Sequence, residues 1–535
     1  MFQGIAGVIA LQWGWRRYAI ALFAGGIAAF SQAPYHAFPV LWLSMPVLVW
    51  LIDGGVDGGA RSRTSSLLAA FRIGWVFGFG YFLSGLWWIG EAFLADAEHY
   101  AWAMPFAVVL LPGFLAVFSG FATLAARAFW PRGPSRVAVL AVCWTIAEYG
   151  RGHFLTGFPW NDLGYALAAN TTLMQVASLV GIPGLTLPAV LIFAAPGALD
   201  GGRGGRRFVI AAALLYAGII GFGIVRLQSA TTDHVADVRL RVIQPAVTDW
   251  QKWQPESAAK LMATYADLSV NNSSGLRTGL SGITVLVWPE SPFSFLLART
   301  QWALASIADL LKTGPTVLVT GAVRAEPPDG NETGPRYYNS VYVIGSDGEI
   351  NAAYDKTHLV PFGEYIPFKP LFDLIGLTQL TQIKSGFSTG PGPRTLDIPG
   401  APPAGMSICY EAVFPGKIVD PANRPKWIVN VTDDSWFGLS PGPYQHLEQA
   451  RLRAVEEGLP LVRSANAGIS AVIDAYGRPF APLPLGKAGT FDSDLPVSLE
   501  PTLYVVIRDN GVIAELIIIA LYILWANRRR KRSTC

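Results

Sequence analysis

The chain has 535 residues, 52% hydrophobic and only 14% charged, against roughly 25% charged in soluble proteins. That excludes an ordinary soluble protein and implies a membrane one, too long for a single compact core. A formal net charge of +3 excludes bulk attraction to nucleic acid, and the three cysteines, Cys143, Cys409 and Cys535, do not make a disulfide framework.

A bilayer-spanning helix needs about 20 mostly apolar residues. In chain order the pattern predicts spans at 18–33, 38–52, 67–89, 102–125, 137–149, 173–195 and 208–225, with an eighth at 505–527. The apolar opening, 1–13, reads as an interfacial helix or part of the first span, and it carries nothing like a signal-peptide cleavage site. Residues 1–230 are thus expected to form a membrane domain of about seven transmembrane helices. The arginines of alternate loops, Arg16 and Arg17, Arg61 and Arg63, Arg132 and Arg136, then Arg203, Arg206 and Arg207, fall on one side with the basic tail at 528–535. The positive-inside rule makes that side the cytoplasm, with both termini in it. The loop after the third span carries Glu91, Asp96 and Glu98 without Lys or Arg. Span parity exports everything between the seventh and eighth spans.

From 232 to 499 the composition turns to an α/β pattern. Strand-like runs (VRLRVIQ, ITVLVWPE, TVLVTGAV, SVYVIG, MSICYE, WIVNVTD) alternate with helix-like stretches at 256–270 and 301–311. Three apolar runs end in chemistry-bearing residues: Glu290 in WPES, Lys356 in AAYDKTH and Cys409 in SICYE. Open α/β sheets place their chemistry at such carboxyl ends. A free thiol is only about 3% ionised at neutral pH, so a nucleophilic cysteine needs a base or a positive neighbour. A carboxylate and an ammonium supply both.

That constellation resembles the nitrilase superfamily of carbon–nitrogen hydrolases and acyltransferases. The strings WPES, KTHLVPFGEYIP, SICYE, DSWFG, GPYQH and RSANAGIS, with LTGFPW far upstream, are similar to the membrane-bound apolipoprotein N-acyltransferase family of bacterial inner membranes. The resemblance runs from about residue 29 to the C-terminus. It implies a polytopic α-helical membrane domain joined to a nitrilase-like αββα sandwich at 232–499, which span parity puts outside, in the periplasm of a host that has one. It implies a nucleophile Cys409, a general base Glu290, and a Lys356 that favours the thiolate or donates to the developing oxyanion. The backbone N–H of Tyr410 is the natural second oxyanion donor, and Glu364 and Glu411 take supporting roles. The donor would be a membrane phospholipid and the acceptor the α-amine of a diacylglyceryl-cysteine apolipoprotein, with ping-pong kinetics and a thioester on Cys409. The lipid bilayer is the remaining partner, and a monomer is expected.

Trp253 matches the family's KW position, which suits contact with the donor, although aromatic packing explains it nearly as well. Glu148 and Arg151 stand one helical turn apart before LTGFPW. Charges at that depth are costly unless paired, so they read either as contacts to phospholipid head groups or as a mutual structural ion pair. His358 invites a Cys–His reading, which the family's use of Glu for acid–base work disfavours. His446 reads as structural, and Arg463 and Asn466 receive no more than a structural role. TDDSWFG carries Asp433 where the family pattern often has Asn. No HExxH, paired CxxC, EF-hand, P-loop or dinucleotide fingerprint occurs, so neither metal nor cofactor is expected. The competing readings are a membrane-tethered amidase or ester hydrolase with the same three residues, and a scaffold or lipid transporter with a degenerate nitrilase-like domain.

Overall fold

Apolar runs bounded by arginines and by Gly-Pro breaks become helices, and alternating Val/Ile runs become strands. The computed structural model describes residues 2–57, 62–94, 97–247, 257–271, 274–328, 334–368 and 386–533. The chain divides into a helical unit (1–90, 102–230 and 501–535) and a sheet unit (91–101 and 231–500). The acidic segment 91–101, which the sequence reads as a loop of the membrane part, is helical at Trp87–Leu94 and Ala97–Tyr100 and clusters with the sheets.

The helical unit contains Phe2–Ala10, Gly14–Ala28, Leu41–Asp57, Arg63–Leu86, Met104–Ala128, Ser135–Arg151, Ala177–Phe193, Gly202–Gln228 and Asn510–Ser533. Among the described residues, four helical stretches are long and apolar enough to cross a membrane: Arg63–Leu94, Ala97–Ala128, Ala177–Leu199 and Gly202–Gln228. The opening helix is separate from the one that begins at Gly14, where φ is 61°. The region expected to span at 173–195 starts with a short helix, Thr171–Met174, and its main helix bends at Gly181 and contains Pro183 and Pro188. The late span begins at Asn510 after a short helix, Leu503–Ile507, and the basic run at 528–532 continues that helix.

In the sheet unit two six-stranded mixed sheets lie face to face. The first has the order β12-β1-β2-β3-β4-β5 and the second β11-β10-β9-β8-β7-β6. The strands are β1 His234–Gln244, β2 Val285–Val287, β3 Val317–Glu326, β4 Arg336–Ile344, β5 Ile350–Asp355, β6 Thr395–Ile398, β7 Ala401–Ile408, β8 Trp427–Thr432, β9 Leu461–Ala465, β10 Ser470–Ile473, β11 Pro479–Leu483 and β12 Gly489–Pro496. The period-two alternation sorts residues into layers. Val285, Val287, Val319, Val343, Met406, Ile408, Val429 and Val431 pack between the sheets. Leu286, Leu318 and Ile344 face outward, with Met262, Tyr265 and Ile307 of helices Ala258–Val270 and Gln301–Leu311 in the same cluster. On the other side Ile428, Leu461 and Ala471 pack with Ala450 and Ala454 of helix Gly442–Glu457. The result is the four-layer αββα nitrilase sandwich.

Parallel pairing of β1 with β2 with β3, and of β7 with β8 with β9, aligns their carboxyl ends. β4 is antiparallel to β3 and β5 antiparallel to β4, so β5 ends on that same edge. Glu290, Lys356, Cys409 and Asp433 each follow one of these strands.

Candidate active site

Cys409 closes β7 and opens a 3-10 helix, Cys409–Val413. The sequence pattern reads SICYE as continuous strand; instead the chain turns at the cysteine, whose φ is 48°. A non-glycine residue there costs roughly 1–2 kcal/mol, and two hydrogen bonds help hold it. Ile408 N–H donates to Glu411 Oε2 at 2.7 Å, and His446 Nε2 lies 3.0 Å from the Cys409 carbonyl. Glu411 therefore does not alternate with Tyr410 across a strand. Its Oε1 accepts from Tyr354 Oη at 2.8 Å, Thr357 N at 2.6 Å, Thr357 Oγ1 at 2.8 Å and His358 N at 3.3 Å. One buried carboxylate so ties the Cys409 turn to the segment that carries Lys356.

Glu290 reaches the same place because β3 carries Gly321. A Cβ at 321 would sit 2.6 Å from Ser291 N and 2.7 Å from Glu290 Cα, so only glycine lets the WPES backbone cross β3 so closely. Glu290 Oε2 accepts the Asp433 N–H at 2.8 Å, and Oε1 accepts Asn339 Nδ2 at 2.7 Å. Lys356 Nζ lies 3.5 Å from Glu290 Oε1 and 2.9 Å from Glu364 Oε1. Asn339 also donates to Glu364 Oε1 at 2.8 Å, and Val360 N–H holds Glu364 Oε2 at 2.8 Å. Lys356 is 1% exposed and Glu290, Glu364 and Cys409 are 6–8%. The ammonium is shared between two buried carboxylates, with Asn339 bracing both.

Burial pushes the Glu290 carboxyl up, Lys356 opposes and Glu364 adds to the rise. Burial would depress Lys356, but Glu364 and Glu290 outweigh it and the ammonium persists. The Cys409 thiol is raised well above its ordinary range by burial and then by Glu290, with Lys356 opposing. Burial therefore favours the neutral thiol. Glu290 and Lys356 both act on the Cys409 thiol, in opposite directions.

Behind Cys409 lies a second buried network. Asp434 accepts from Arg463 at 2.6 Å and from Thr432 at 3.0 Å, and its Oδ1 is 2.8 Å from His446 Nδ1. Arg463 also donates to Asn430 Oδ1 at 2.5 Å. Despite burial, Arg463 and His446 hold the Asp434 carboxyl down at about 2. Among the described residues, ligand atoms of Cys409, Asp434 and His446 lie within 4.8 Å of one another. Both Asp434 oxygens are committed to Arg463 and its neighbours, a donor set better matched to an internal cation than to a metal. His446, not His358, is the histidine near the sulfur, and it is directed at the Cys409 carbonyl. The His358 ring stacks on Phe414 with centroids 3.8 Å apart. Asn466 clasps Val247 through both main-chain groups and donates to Asp433 Oδ1 at 3.0 Å.

Trp253 lies outside the described residues. Glu148 and Arg151 do not pair with each other. Arg151 is 2% exposed, pairs with Asp162 and donates to the carbonyls of Phe158 at 2.8 Å and Trp160 at 2.7 Å. Glu148 accepts from Trp144 Nε1, Leu163 N and Thr186 Oγ1. Their polar atoms face partners inside the helical unit, which corrects the head-group reading in favour of a structural cluster. Sequence reasoning missed Asn339 and Asp434. Asn339 left one trace, an amide at an inward-facing position of the mostly apolar and aromatic run YYNSVYVI.

Residues 24–195 match the family described as apolipoprotein N-acyltransferase N-terminal domain, and residues 239–502 match carbon–nitrogen hydrolase. Apolipoprotein N-acyltransferase of Rhodopseudomonas palustris is 46% identical over 98% of both chains. That of Bradyrhizobium diazoefficiens is 48% identical over 98% of this chain and 97% of its own. The chain belongs to the apolipoprotein N-acyltransferase family. It is therefore an acyltransferase and a membrane protein. Among solved structures, an amidase from Nesterenkonia sp. aligns over 54% of this chain and 99% of its own, at 19% identity and a TM-score of 0.36.

Proposed function

We propose that this acyltransferase moves a fatty acyl chain from a membrane phospholipid to the α-amine of an apolipoprotein's diacylglyceryl-cysteine, through a thioester on Cys409. The observation that carries the reading is a buried thiol at a turn, beside a carboxylate whose pKa is raised and an ammonium fixed by two carboxylates. Glu290 takes the thiol proton as sulfur attacks the ester carbonyl, because burial keeps the resting thiol neutral. A positioned base typically contributes about 10²–10⁴-fold. Lys356 Nζ and the Tyr410 N–H receive the developing oxyanion. The C–O bond breaks, and Glu290 returns the proton to the departing alkoxide. In the second half-reaction the neutral amine attacks the thioester, the C–S bond breaks, and its proton passes through Glu290 to the thiolate. Glu364 and Asn339 orient Lys356 and Glu290, and Glu411 fixes the nucleophile turn.

The acyl chain cannot cross water. A sixteen-carbon chain at about 0.8 kcal/mol per CH₂ would cost more than about ten kcal/mol, so the donor slides in from the bilayer and Trp253 contacts it. The arginine pattern supports a sheet unit on the periplasmic side of the inner membrane with both termini cytoplasmic, and the proposed chemistry uses no cofactor. The decisive experiment exposes the protein to phospholipid alone and measures the mass of the Cys409 peptide. An acyl adduct cleaved by hydroxylamine is expected, absent in Cys409→Ser and Glu290→Gln. Persistence in Glu290→Gln would remove that residue from the base role, and release of fatty acid regardless of an acceptor peptide would favour hydrolysis over transfer.

A further inference from the structure

Glu91 belongs by contact to the sheet unit, although in the chain it lies in the last turns of the helical stretch Arg63–Leu94. It is half-buried, and among the described residues it has no hydrogen-bond or ion-pair partner. Its side chain lies flat on Gly438: a Cβ there would be 2.8 Å from Glu91 Oε2 and 3.2 Å from its Cγ and Cδ. Gly438, at φ 59°, ends the 3-10 turn Asp434–Phe437. The first residue of that turn is Asp434, whose carboxylate lies within 4.8 Å of the Cys409 sulfur. A 3-10 turn rises about 2 Å per residue, which puts Glu91 on the order of 10 Å from the nucleophile. The 91–101 segment adds Glu98 and contains no Lys or Arg.

A carboxylate that has lost part of its hydration without gaining a partner is unfavourable by itself. A cation that docks there relieves the cost. The acceptor of the proposed reaction brings one, because an α-amine with a pKa near 8 arrives mostly as ammonium at neutral pH. We propose that Glu91 receives the α-ammonium of the acceptor at the rim of the site, and so selects acceptors with a free, charged N-terminus. This rests on the acyl-transfer reading above. At that distance the amine is held but not yet reacting; it gives its proton to solvent water and moves inward to the thioester as the neutral amine. Glu91 therefore governs acceptor binding and has no part in loading Cys409.

The test uses the full-length enzyme in phospholipid vesicles and the variant Glu91→Gln, which keeps the packing on Gly438 and removes the charge. Acyl-enzyme is formed from phospholipid alone, then discharged either to a diacylglyceryl-cysteine peptide with a free α-amine or to hydroxylamine, a neutral nucleophile. The expected result is acyl-enzyme formation at the unsubstituted rate, a KM for the peptide raised about tenfold, discharge to hydroxylamine unchanged, and loss of the salt dependence of the peptide KM. An unchanged peptide KM on competent acyl-enzyme would overturn the assignment, as would equal slowing with both nucleophiles, which marks a packing role. Failure of the unsubstituted protein to form acyl-enzyme would overturn the acyl-transfer reading itself, and the assignment with it.

Discussion

Asn339 is the residue whose replacement most directly tests how the base is tuned. Its Nδ2 donates to Glu290 at 2.7 Å and to Glu364 at 2.8 Å, while its buried Oδ1 has no partner among the described residues. Turning the amide the other way would set that oxygen against two carboxylates. Asn339→Leu keeps the approximate volume and removes both donated hydrogen bonds. A hydrogen bond to a charged group is worth about 1.5–3 kcal/mol, and one pKa unit corresponds to about 1.4 kcal/mol. Losing the donor disfavours the ionised form, so the Glu290 pKa, already raised by burial, rises by a further one to two units or so. The assay is single-turnover acylation of Cys409 by phospholipid across pH 5–9. The acid limb of the profile should move up, lowering the neutral-pH rate by up to about 10–100-fold, with recovery at higher pH. An acid limb that stays in place in a folded variant would refute Glu290 as the titrating base. A drop that is uniform with pH would mean misplacement rather than altered basicity.

Three further substitutions address the other parts of the site. Lys356→Met removes an oxyanion donor and leaves Glu290 and Glu364 facing each other without their shared ammonium; acylation should fall by about 10²–10³-fold or more, and a near-normal rate in single turnover would contradict the role. Glu411→Gln puts an amide where five donated hydrogen bonds converge from Ile408, Tyr354, Thr357 and His358; denaturation should show a loss of about 2–4 kcal/mol, and unchanged stability would count against its holding the nucleophile turn. Gly321→Ala drives a methyl into the backbone of 289–291; acyl-enzyme formation should collapse while membrane insertion persists, and wild-type rates would show that the WPES segment has slack.

The three residues of the proposed chemistry were legible because each closes an apolar run, and strand ends are where parallel sheets present side chains. The strands at 238–244, 316–323 and 427–432 were legible for the same reason, since alternation survives burial on both faces when Val and Ile dominate. The turn at Cys409 was not. MSICYE has the composition of a strand throughout, and what bends it is Glu411 reaching back to Ile408 N–H and His446 meeting the Cys409 carbonyl. Both are contacts that a local pattern does not contain. The Glu148 and Arg151 spacing misled in the same way. Neighbours one turn apart on a helix look like a pair, yet Arg151 finds its carboxylate at Asp162, eleven positions on, and Glu148 spends its oxygens on Trp144, Leu163 and Thr186.

The departure at position 433 has a physical explanation of the same kind. What touches the proposed base there is main chain: the Asp433 N–H donates to Glu290 Oε2, and any residue other than proline supplies that group. The side chain has a different task. Its Oδ1 accepts from Ser435 N at 3.1 Å, from Ser435 Oγ at 2.6 Å and from Asn466 Nδ2 at 3.0 Å. An asparagine carbonyl could accept the same bonds, so the turn tolerates either residue. They differ in charge: Asp433 adds to the forces that push the Glu290 carboxyl up. Asp433→Asn should therefore keep the fold, lower the Glu290 pKa and shift the acid limb of acylation downward, opposite in sign to Asn339→Leu. Two substitutions on opposite sides of one carboxylate that moved the profile in the same direction would be incompatible with Glu290 setting it.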